Sequence, residues 1–421
     1  MPSLGTRGSF RTAGAVVAVA LWTSACPTMT YPLYQAEWGI STTTVTWIFA
    51  AYPLTLIPVL LLLGHLADHL GTRVTMLLGL VAQLLGVLVF AVAGGVAWLL
   101  AGRVLMGLGV GLSIGPASLA MVEHSAPGRE KRAGAVSTAV SALGIGLAMT
   151  VGGALTEYAP FPLHLGFFVL AGAIAAVACL VACMPRHTPH PAAGTRRRTR
   201  TITVPRGSRT VFVAGAIAFA SSFLIGAIVL PLGAKIAQQL AGSTNALVTG
   251  ALLAVFAGCI TLFALLGRNL HVRPLVLLGA VGSVAAVWLY VLTGATHSLL
   301  LFFLASAVAG AAYAFDFAGG LTVLSRFAPA PHRAGMVSGG YLVGYAAQGV
   351  GAPALGAVVT AHGLMTGLVT GAAVFGAFFV LVAVVGLVVL TPVHRADREA
   401  ARHLPAPAQG AVRTDAARAA E

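Results

Sequence analysis

Charged residues are scarce in this chain, and acidic residues are the scarcest. Asp, Glu, Lys and Arg together make up 8% of the 421 residues, whereas a soluble globular domain carries about 25%. Asp68 is the only aspartate before Asp316. With 58% hydrophobic residues, the chain has too few charges to cover a surface in water. A soluble protein is therefore excluded, and lipid must be the solvent for most of the chain.

Signals of other protein classes are missing as well. The apolar runs do not alternate polar and apolar residues, as the strands of an outer-membrane barrel would. His65, Asp68 and His69 have a spacing that could bring two imidazoles to a metal, but no further ligand lies nearby in sequence. No glycine-rich phosphate loop is present, so we expect no process that is driven by ATP. No catalytic constellation is present either, so we expect neither an enzyme nor a bound cofactor or metal. The cysteines lie in apolar runs and form no disulfide or zinc pattern: Cys26, Cys179, Cys183 and Cys259.

What the chain does have is twelve long apolar runs, most of them about 20 residues or longer, as membrane-spanning helices require. The runs lie at about 13–34, 43–64, 74–94, 96–122, 133–156, 163–184, 211–234, 245–267, 274–294, 298–325, 334–361 and 364–391. The sequence therefore predicts an all-α membrane protein with twelve transmembrane helices in two six-helix bundles. We expect an N-terminal tail at 1–12, bundles at 13–184 and 211–391, an arginine-rich linker at 185–210 and a C-terminal tail at 392–421.

Positive charge is concentrated on one side of this topology. The tails and the alternate loops on the same side contain 22 of the 24 Lys and Arg residues. By the positive-inside rule, this bias predicts that both termini and the linker are cytoplasmic. We expect the membrane to be a plasma membrane, such as a bacterial inner membrane. A role of the linker in binding nucleic acid or anionic lipid is conceivable, but a topology signal is the simpler interpretation.

An internal repeat supports the division into halves. Arg132–Ser137 recurs as Arg333–Ser338, 201 residues later, and Gly64 at the end of span 2 recurs as Gly267 at the end of span 8, 203 residues later. Corresponding segments in the same order indicate two six-span halves that are related by duplication.

A short charged hinge joins spans 2 and 3, with the sequence Gly64-His-Leu-Ala-Asp68-His-Leu-Gly71-Thr-Arg73. Its glycines allow close approach and a backbone turn, and we expect Asp68 and Arg73 to keep the turn in water or in ion pairs. The segment resembles the signature loop of the major facilitator superfamily, Gly-x-Leu-Ala-Asp-Arg-x-Gly-Arg-Arg. The resemblance implies secondary active transport and makes this hinge a cytoplasmic gating loop, with Asp68 attracted to the N-terminal end of span 11 near 333–338.

Spans 4 and 5 carry further patterns that resemble those of this family. Arg103 and Gly107, with Gly111 one turn on, match the span 4 pattern Arg-x-x-x-Gly, whose arginine lines the central cavity and is linked to proton transfer or substrate charge. The span 5 pattern of exporters, Gly-x-x-x-Gly-Pro-x-x-Gly-Gly, is matched only in part, because Ala148 and Met149 replace its Gly-Pro pair. Its matching glycines, for which close helix packing is the alternative role, are Gly144, Gly152 and Gly153.

Two charges lie within spans, and each is a candidate for binding a proton or the substrate. Asp316 is the only acidic residue in the interior of any span, and a buried carboxyl group is suited to loading and releasing protons; structural hydrogen bonding is the alternative. For Arg103 the alternative is snorkelling to the outer interface. The 201-residue offset maps Asp316 onto Gly115, twelve residues from Arg103, or about 18 Å along the helix axis, so we expect no direct pair.

Polar-tipped and aromatic residues in the spans that flank the centre complete the candidate site, although many such aromatics pack or mark the membrane interface. The cavity candidates are Trp22, Tyr31, Tyr52, Tyr313, Tyr341, Tyr345 and Gln348.

The patterns are closest to those of the twelve-span drug and metabolite proton antiporters. That resemblance implies proton-coupled efflux of a small amphipathic compound by alternating access. The partners are then the substrate, a proton and the lipid bilayer, without nucleic acid, and we expect a monomer. Two alternatives stay open: a proton-coupled importer of a nutrient or metabolite, and a non-transporting membrane sensor or scaffold that uses the linker or the tail.

Overall fold

A computed structural model of the chain describes residues 5–64, 66–125, 130–185, 204–329 and 332–402. In this part the chain is helical, without strands, and twelve helices are long and apolar enough to cross a membrane. This confirms the predicted fold class. Spans 1 to 12 are Thr6–Trp38, Thr42–Leu62, Thr72–Ala91, Val96–Glu123, Val136–Tyr158, Leu165–Ala182, Arg206–Gln239, Ala246–Gly267, Val272–Thr296, Leu299–Arg326, Arg333–His362 and Leu364–Leu390.

Several helices extend beyond these apolar spans or are divided within them. The helix of span 5 begins at Glu130, that of span 12 continues to Arg402, and a short helix at Leu66–Leu70 lies between spans 2 and 3. Span 1 begins at Thr6, inside the segment expected to be a tail. Most of the expected linker, 186–203, and the tail beyond 402 lie outside the described residues.

Proline and glycine divide span 1 near its centre. The α-helix Thr6–Ala25 gives way to a 3-10 turn at Cys26–Met29, which contains Pro27, and helix Tyr31–Trp38 completes the crossing. Proline lacks the N–H that would continue the helical ladder, so the break falls where backbone carbonyls are left for other donors. Gly39, with φ of 64°, ends the second part.

Twelve crossings place the described ends of the chain on one side of the bundle, which we call the proximal side. The opposite, distal side carries the connections after spans 1, 3, 5, 7, 9 and 11. Capping side chains start three spans there: Ser41 accepts from the backbone N–H of Thr44 in span 2, Asn245 caps span 8 and Ser298 caps span 10. Such caps satisfy amide groups that have no partner within the helix.

Glycines let spans 3 and 4, and likewise spans 9 and 10, approach closely. A Cβ atom on Gly79 would lie 2.9 Å from the backbone nitrogen of Ser113, and one on Gly279 would lie 2.7 Å from that of Asp316. These contacts correspond at an offset of 200 residues between spans 3 and 9 and of 203 between spans 4 and 10. The counterpart of Asp316 is therefore Ser113, and the predicted counterpart, Gly115, is wrong.

Candidate functional site

The two halves meet on the distal side through spans 2 and 11. The backbone N–H and the hydroxyl of Thr43 both lie 2.9 Å from the hydroxyl of Thr360, and the Thr43 hydroxyl also donates to the carbonyl of Gly356 at 3.2 Å. Next to them, Lys235 of span 7 donates to the hydroxyl of Thr42 at 2.7 Å.

Spans 5 and 8 make the second distal contact. The N–H of Ala246, the first residue of span 8, donates to the carboxylate of Glu157 at 2.7 Å, and Asn245 donates to the hydroxyl of Tyr158 at 3.2 Å. The helices cross at glycines: a Cβ on Gly153 would lie 2.6 Å from the carbonyl oxygen of Ala246, and one on Gly250 would meet that of Met149. A carboxylate at a helix N-terminus is stabilised by the unpaired amides and the helix dipole.

These two contacts together form what we call the distal gate. The hydrogen bonds between the halves that involve Thr43, Lys235, Glu157 and Asn245 all belong to it. The halves are therefore joined at the distal end, and the side chains described next lie nearer the middle of the spans.

Six aromatic side chains of the C-terminal half form a continuous surface, which we call the aromatic wall. They come in pairs four residues apart, so each pair lies on one face of its helix. Span 7 supplies Phe219 and Phe223, span 10 supplies Tyr313 and Phe317, and span 11 supplies Tyr341 and Tyr345. The centroid of the Phe219 ring lies 4.7 Å from that of Phe317 and 4.9 Å from that of Tyr341, while Phe223 lies 4.8 Å from Tyr345.

The wall reaches the N-terminal half at Tyr52. The phenol groups of Tyr313 and Tyr345 lie near that of Tyr52 and near that of Tyr341. The Gln348 amide packs on Gly226, where a Cβ would lie 2.9 Å from its Nε2. The structure thus brings together five of the predicted cavity residues. Trp22 is half-buried and packs against two hydrophobic clusters, each of which contains residues of both halves.

The three phenylalanines of the wall are missed by a search for polar-tipped residues. Their signal is the recurrence of an aromatic residue four positions from another in each of three spans: 219 and 223, 313 and 317, and 341 and 345.

Arg103 is fully buried within the N-terminal half. Its Nη1 donates to the carbonyl of Ser24 at 2.9 Å, beside the break in span 1, and its Nε to that of Ile48 at 3.4 Å. The guanidinium lies over the ring of Tyr52, 5.1 Å from its centroid, and close to the buried Tyr31. Snorkelling to the interface is therefore wrong. Among the described residues its partners are carbonyl oxygens and rings, so its charge is not matched by a carboxylate.

Asp316 is also fully buried, but it faces span 9 rather than the wall. Ser283 donates to its Oδ2 at 2.7 Å, Gly279 lies against its other oxygen, and Oδ1 has no hydrogen-bond partner. Arg103 and Asp316 thus have separate partners in different halves. The corresponding notch of the N-terminal half holds a Gln83–Ser113 hydrogen bond of 2.9 Å.

The hinge between spans 2 and 3 is part helix and part turn. Gly71 adopts φ of 82°, a left-handed conformation that favours glycine. Arg73 donates to the carbonyls of Ala182 and Met184, the latter at 2.7 Å. It therefore holds the end of span 6, which corrects the expectation that it lies in water or an ion pair. The side chain of Asp68 lies outside the described residues.

The glycines of spans 4 and 5 lie at close helix contacts. Gly107 and Gly111 face span 2, where a Cβ would lie 2.8 Å from the carbonyl oxygen of Tyr52 and 2.6 Å from Val59 respectively. Gly144 meets span 1, and Gly152 packs beside Met29, whereas Gly153 contacts the other half at the distal gate. In the described part of the chain, no three His, Cys, Asp or Glu residues come together as metal ligands would.

Twelve apolar spans in two six-helix halves, with aromatic side chains of both halves brought together between them, are typical of a membrane transporter. The helical order is shared with solved transporters of low sequence identity. The likeness to the nucleoside transporter NupG has a TM-score of 0.73 at 15% identity over 91% of this chain and 99% of that one. For the peptide transporter POT in complex with sulfate the values are 0.72 and 18% over 94% and 97%. A bacterial homologue of the human lysosomal transporter Spinster, inward-facing and unoccupied, gives 0.72 and 16% over 91% and 98%.

The chain belongs to the Major Facilitator Superfamily, whose family model matches residues 12–271. It is thus a transporter rather than an enzyme. Among curated proteins, it is similar to the puromycin resistance protein pur8 of Streptomyces alboniger, with 30% identity over 147 residues. That match covers 34% of this chain and 27% of the relative's length.

Proposed function

We propose that the protein is a proton-coupled exporter of small amphipathic compounds that works as a monomer in the plasma membrane. The observation that carries the proposal is the distal gate, which joins the two halves by hydrogen bonds at the distal end, while aromatic side chains of both halves meet nearer the middle of the spans. The bias of Lys and Arg toward the proximal side makes that side cytoplasmic. The gate then closes the outer side of an inward-facing state, in which an exporter loads its substrate.

The direction of transport is supported by the similarity to a puromycin resistance protein. Resistance by a transporter requires that the compound be removed from the cell. The glycine contact at Gly153, in the span whose pattern resembles that of exporters, lies at the distal gate, where the helices must separate to release substrate outward.

The proton site in this proposal is Asp316. Burying a carboxylate without a cationic partner costs several kcal/mol, and the described neighbours of this group are a serine hydroxyl and a glycine. Binding of a proton would remove the charge of the Asp316 carboxylate. Because this group is buried against span 9, its protonation is coupled to the packing of spans 9 and 10. Since Asp316 and the wall residues Tyr313 and Phe317 lie on one helix, a shift of span 10 would reach the cavity directly.

The test is transport into inside-out vesicles from a pump-deficient host, with substrates found by a growth-inhibition screen that begins with puromycin. An imposed proton gradient should drive the compound outward relative to the cell, and Asp316→Asn should abolish this while the protein stays in the membrane. The control Glu37→Gln changes an exposed acid on the distal side and should transport normally. Normal transport by Asp316→Asn contradicts the role of Asp316, and proton-driven movement inward would identify an importer.

A further inference from the structure

We propose that the cavity selects planar aromatic compounds that carry no positive charge. This inference rests on the proposed transport function and names the class of substrate that the site takes. Three features carry it: the shape and exposure of the aromatic wall, the placement of charge around it, and the phenol groups at its edge.

The wall offers ring faces and edges to a ligand. Tyr313, Phe317, Tyr341 and Tyr345 are only half-buried, whereas Phe219 and Phe223 are buried behind them. The rings of Tyr313 and Phe317 are nearly parallel at 10°, with centroids 6.1 Å apart, and those of Tyr341 and Tyr345 are inclined by 24° at 6.2 Å. Such a surface stacks best with a flat ring, by offset or edge-to-face contact.

The buried rings fix this surface in place. Phe219 contacts both Phe317 and Tyr341, and the backbone of span 7 meets span 10 at Gly320, where a Cβ would lie 2.5 Å from the nitrogen of Phe219. A closely packed support of this kind presents the outer rings in one arrangement, so it favours ligands of one shape.

Negative charge is absent from the cavity among the described acidic residues. Glu37 and Glu157 lie at the distal end, Glu123 ends span 4 on the proximal side, and Asp316 faces Ser283 of span 9. A cationic ligand would therefore enter an apolar cavity without a counter-ion, which is unfavourable.

Positive charge, by contrast, lies directly behind the cavity. The guanidinium of Arg103 is 5.1 Å from the centroid of the Tyr52 ring and 5.6 Å from that of Phe49. One face of Tyr52 is thus already occupied by a cation–π contact. The field of Arg103 repels a second cation and attracts an anion or the oxygen end of a neutral compound.

The tyrosine hydroxyls can bind that oxygen. The phenols of Tyr52, Tyr313 and Tyr345 come from both halves and lie near one another. A phenol donates to a carbonyl, phenolate or carboxylate oxygen and accepts from a hydroxyl. A ligand with its ring on the wall and its oxygen at these groups would contact both halves at once.

The experiment measures binding of anthracene derivatives to the purified protein in lipid nanodiscs by fluorescence polarisation. Anthracene-2-carboxylate, 9-anthracenemethanol and an anthracenylmethyl-trimethylammonium ion share one ring system and differ in charge. Adamantane-1-carboxylate, measured by competition, has the anionic charge without the flat ring. We expect the first two to bind at least about tenfold more tightly than the cation, and the adamantane to bind weakly.

Variants of the wall test the geometry. Tyr345→Leu should lose binding of all the anthracenes, whereas Tyr345→Phe keeps the ring and should weaken the carboxylate by about two- to tenfold, as expected for one lost hydrogen bond. Tyr290→Phe is the matched control, since this buried tyrosine contacts Ser306 rather than the cavity. Equal or tighter binding of the cation, equal binding of the adamantane, or no binding of any anthracene overturns the inference.

Transport in proteoliposomes separates this inference from the function on which it rests. If the anthracene carboxylate binds but a proton gradient does not move it or any screened compound, proton-coupled export is wrong and the selectivity stands. If cationic compounds are exported and the anthracene carboxylate does not bind, export stands and the selectivity is wrong.

Discussion

Substitution of Gly153 by valine should open the distal gate. A Cβ at this position would lie 2.6 Å from the carbonyl oxygen of Ala246 and 3.2 Å from the Cα of Leu247. Restoring ordinary contact requires spans 5 and 8 to separate by about 1 Å. The hydrogen bond from Ala246 to Glu157, now 2.7 Å long, would then exceed the distance at which such a bond is effective.

The size of the effect follows from the bonds that are lost. A hydrogen bond to a charged group contributes about 1.5–3 kcal/mol and a neutral one about 0.5–1.5 kcal/mol. Tyr158 is 68% exposed and Glu157 is also exposed, so each bond contributes a free energy at the lower end of its range. Loss of the two bonds, from Ala246 to Glu157 and from Asn245 to Tyr158, therefore costs about 2 kcal/mol in total. The ratio of distal-open to distal-closed molecules should therefore rise about thirtyfold, and Gly153→Ala should give a smaller rise.

Electron spin–spin distances between labels on either side of the gate would measure this ratio. Cysteines at Phe161 and Thr244, exposed distal positions in the two halves, carry the labels in a background without the four native cysteines. Gly172→Val is the matched control, because nothing lies within 4 Å of a Cβ at that position. An unchanged distance distribution in folded Gly153→Val protein would refute the assigned role of this contact.

Three further predictions concern the hinge and the helix contacts. Arg73→Gln removes the hydrogen bonds to the carbonyls at the end of span 6. It should lower the free energy of unfolding in detergent by about 1–3 kcal/mol, measured by thermal unfolding. An equally large decrease for Arg268→Gln, which changes an exposed arginine, would contradict this. Gly279→Val overfills the contact between spans 9 and 10 and should reduce the yield of monodisperse protein in size-exclusion chromatography, whereas Gly258→Val, in open space, should not. Asp68→Asn should slow transport in vesicles without lowering the amount of inserted protein, and an unaffected rate would rule out a gating role for this residue.

The architecture could be predicted from the sequence because its signals are long and local. Each span is a run of apolar residues of the length that a bilayer requires, and the repeat near 200 residues divides the spans into halves. The broken span 1 follows from Pro27 and the end of its second part from Gly39, which are also local features.

The candidate site was harder to predict from the sequence. The rotation of each helix about its axis, and the offset between corresponding residues of the two halves, depend on tertiary packing. One constant offset placed Asp316 opposite Gly115, but the offset is 200 residues for spans 3 and 9 and 203 for spans 4 and 10. Arg73 donates hydrogen bonds to carbonyls more than 100 residues away in the sequence. The residues next to Arg73 in the sequence do not predict this pairing. Phe317 has no polar group, so a search for polar-tipped residues does not find it, although its ring lies 4.7 Å from that of Phe219.

The notch between spans 3 and 4 and the notch between spans 9 and 10 hold the same kind of contact with different residues. In the N-terminal half, Gln83 of span 3 donates to the smaller Ser113 of span 4. In the C-terminal half, the small Ser283 of span 9 donates to the larger Asp316 of span 10. The larger side chain thus lies on span 3 in one half and on span 10 in the other. The acid therefore lies on the helix that also bears Tyr313 and Phe317, so a change in the protonation of Asp316 would act on the same helix as the aromatic wall.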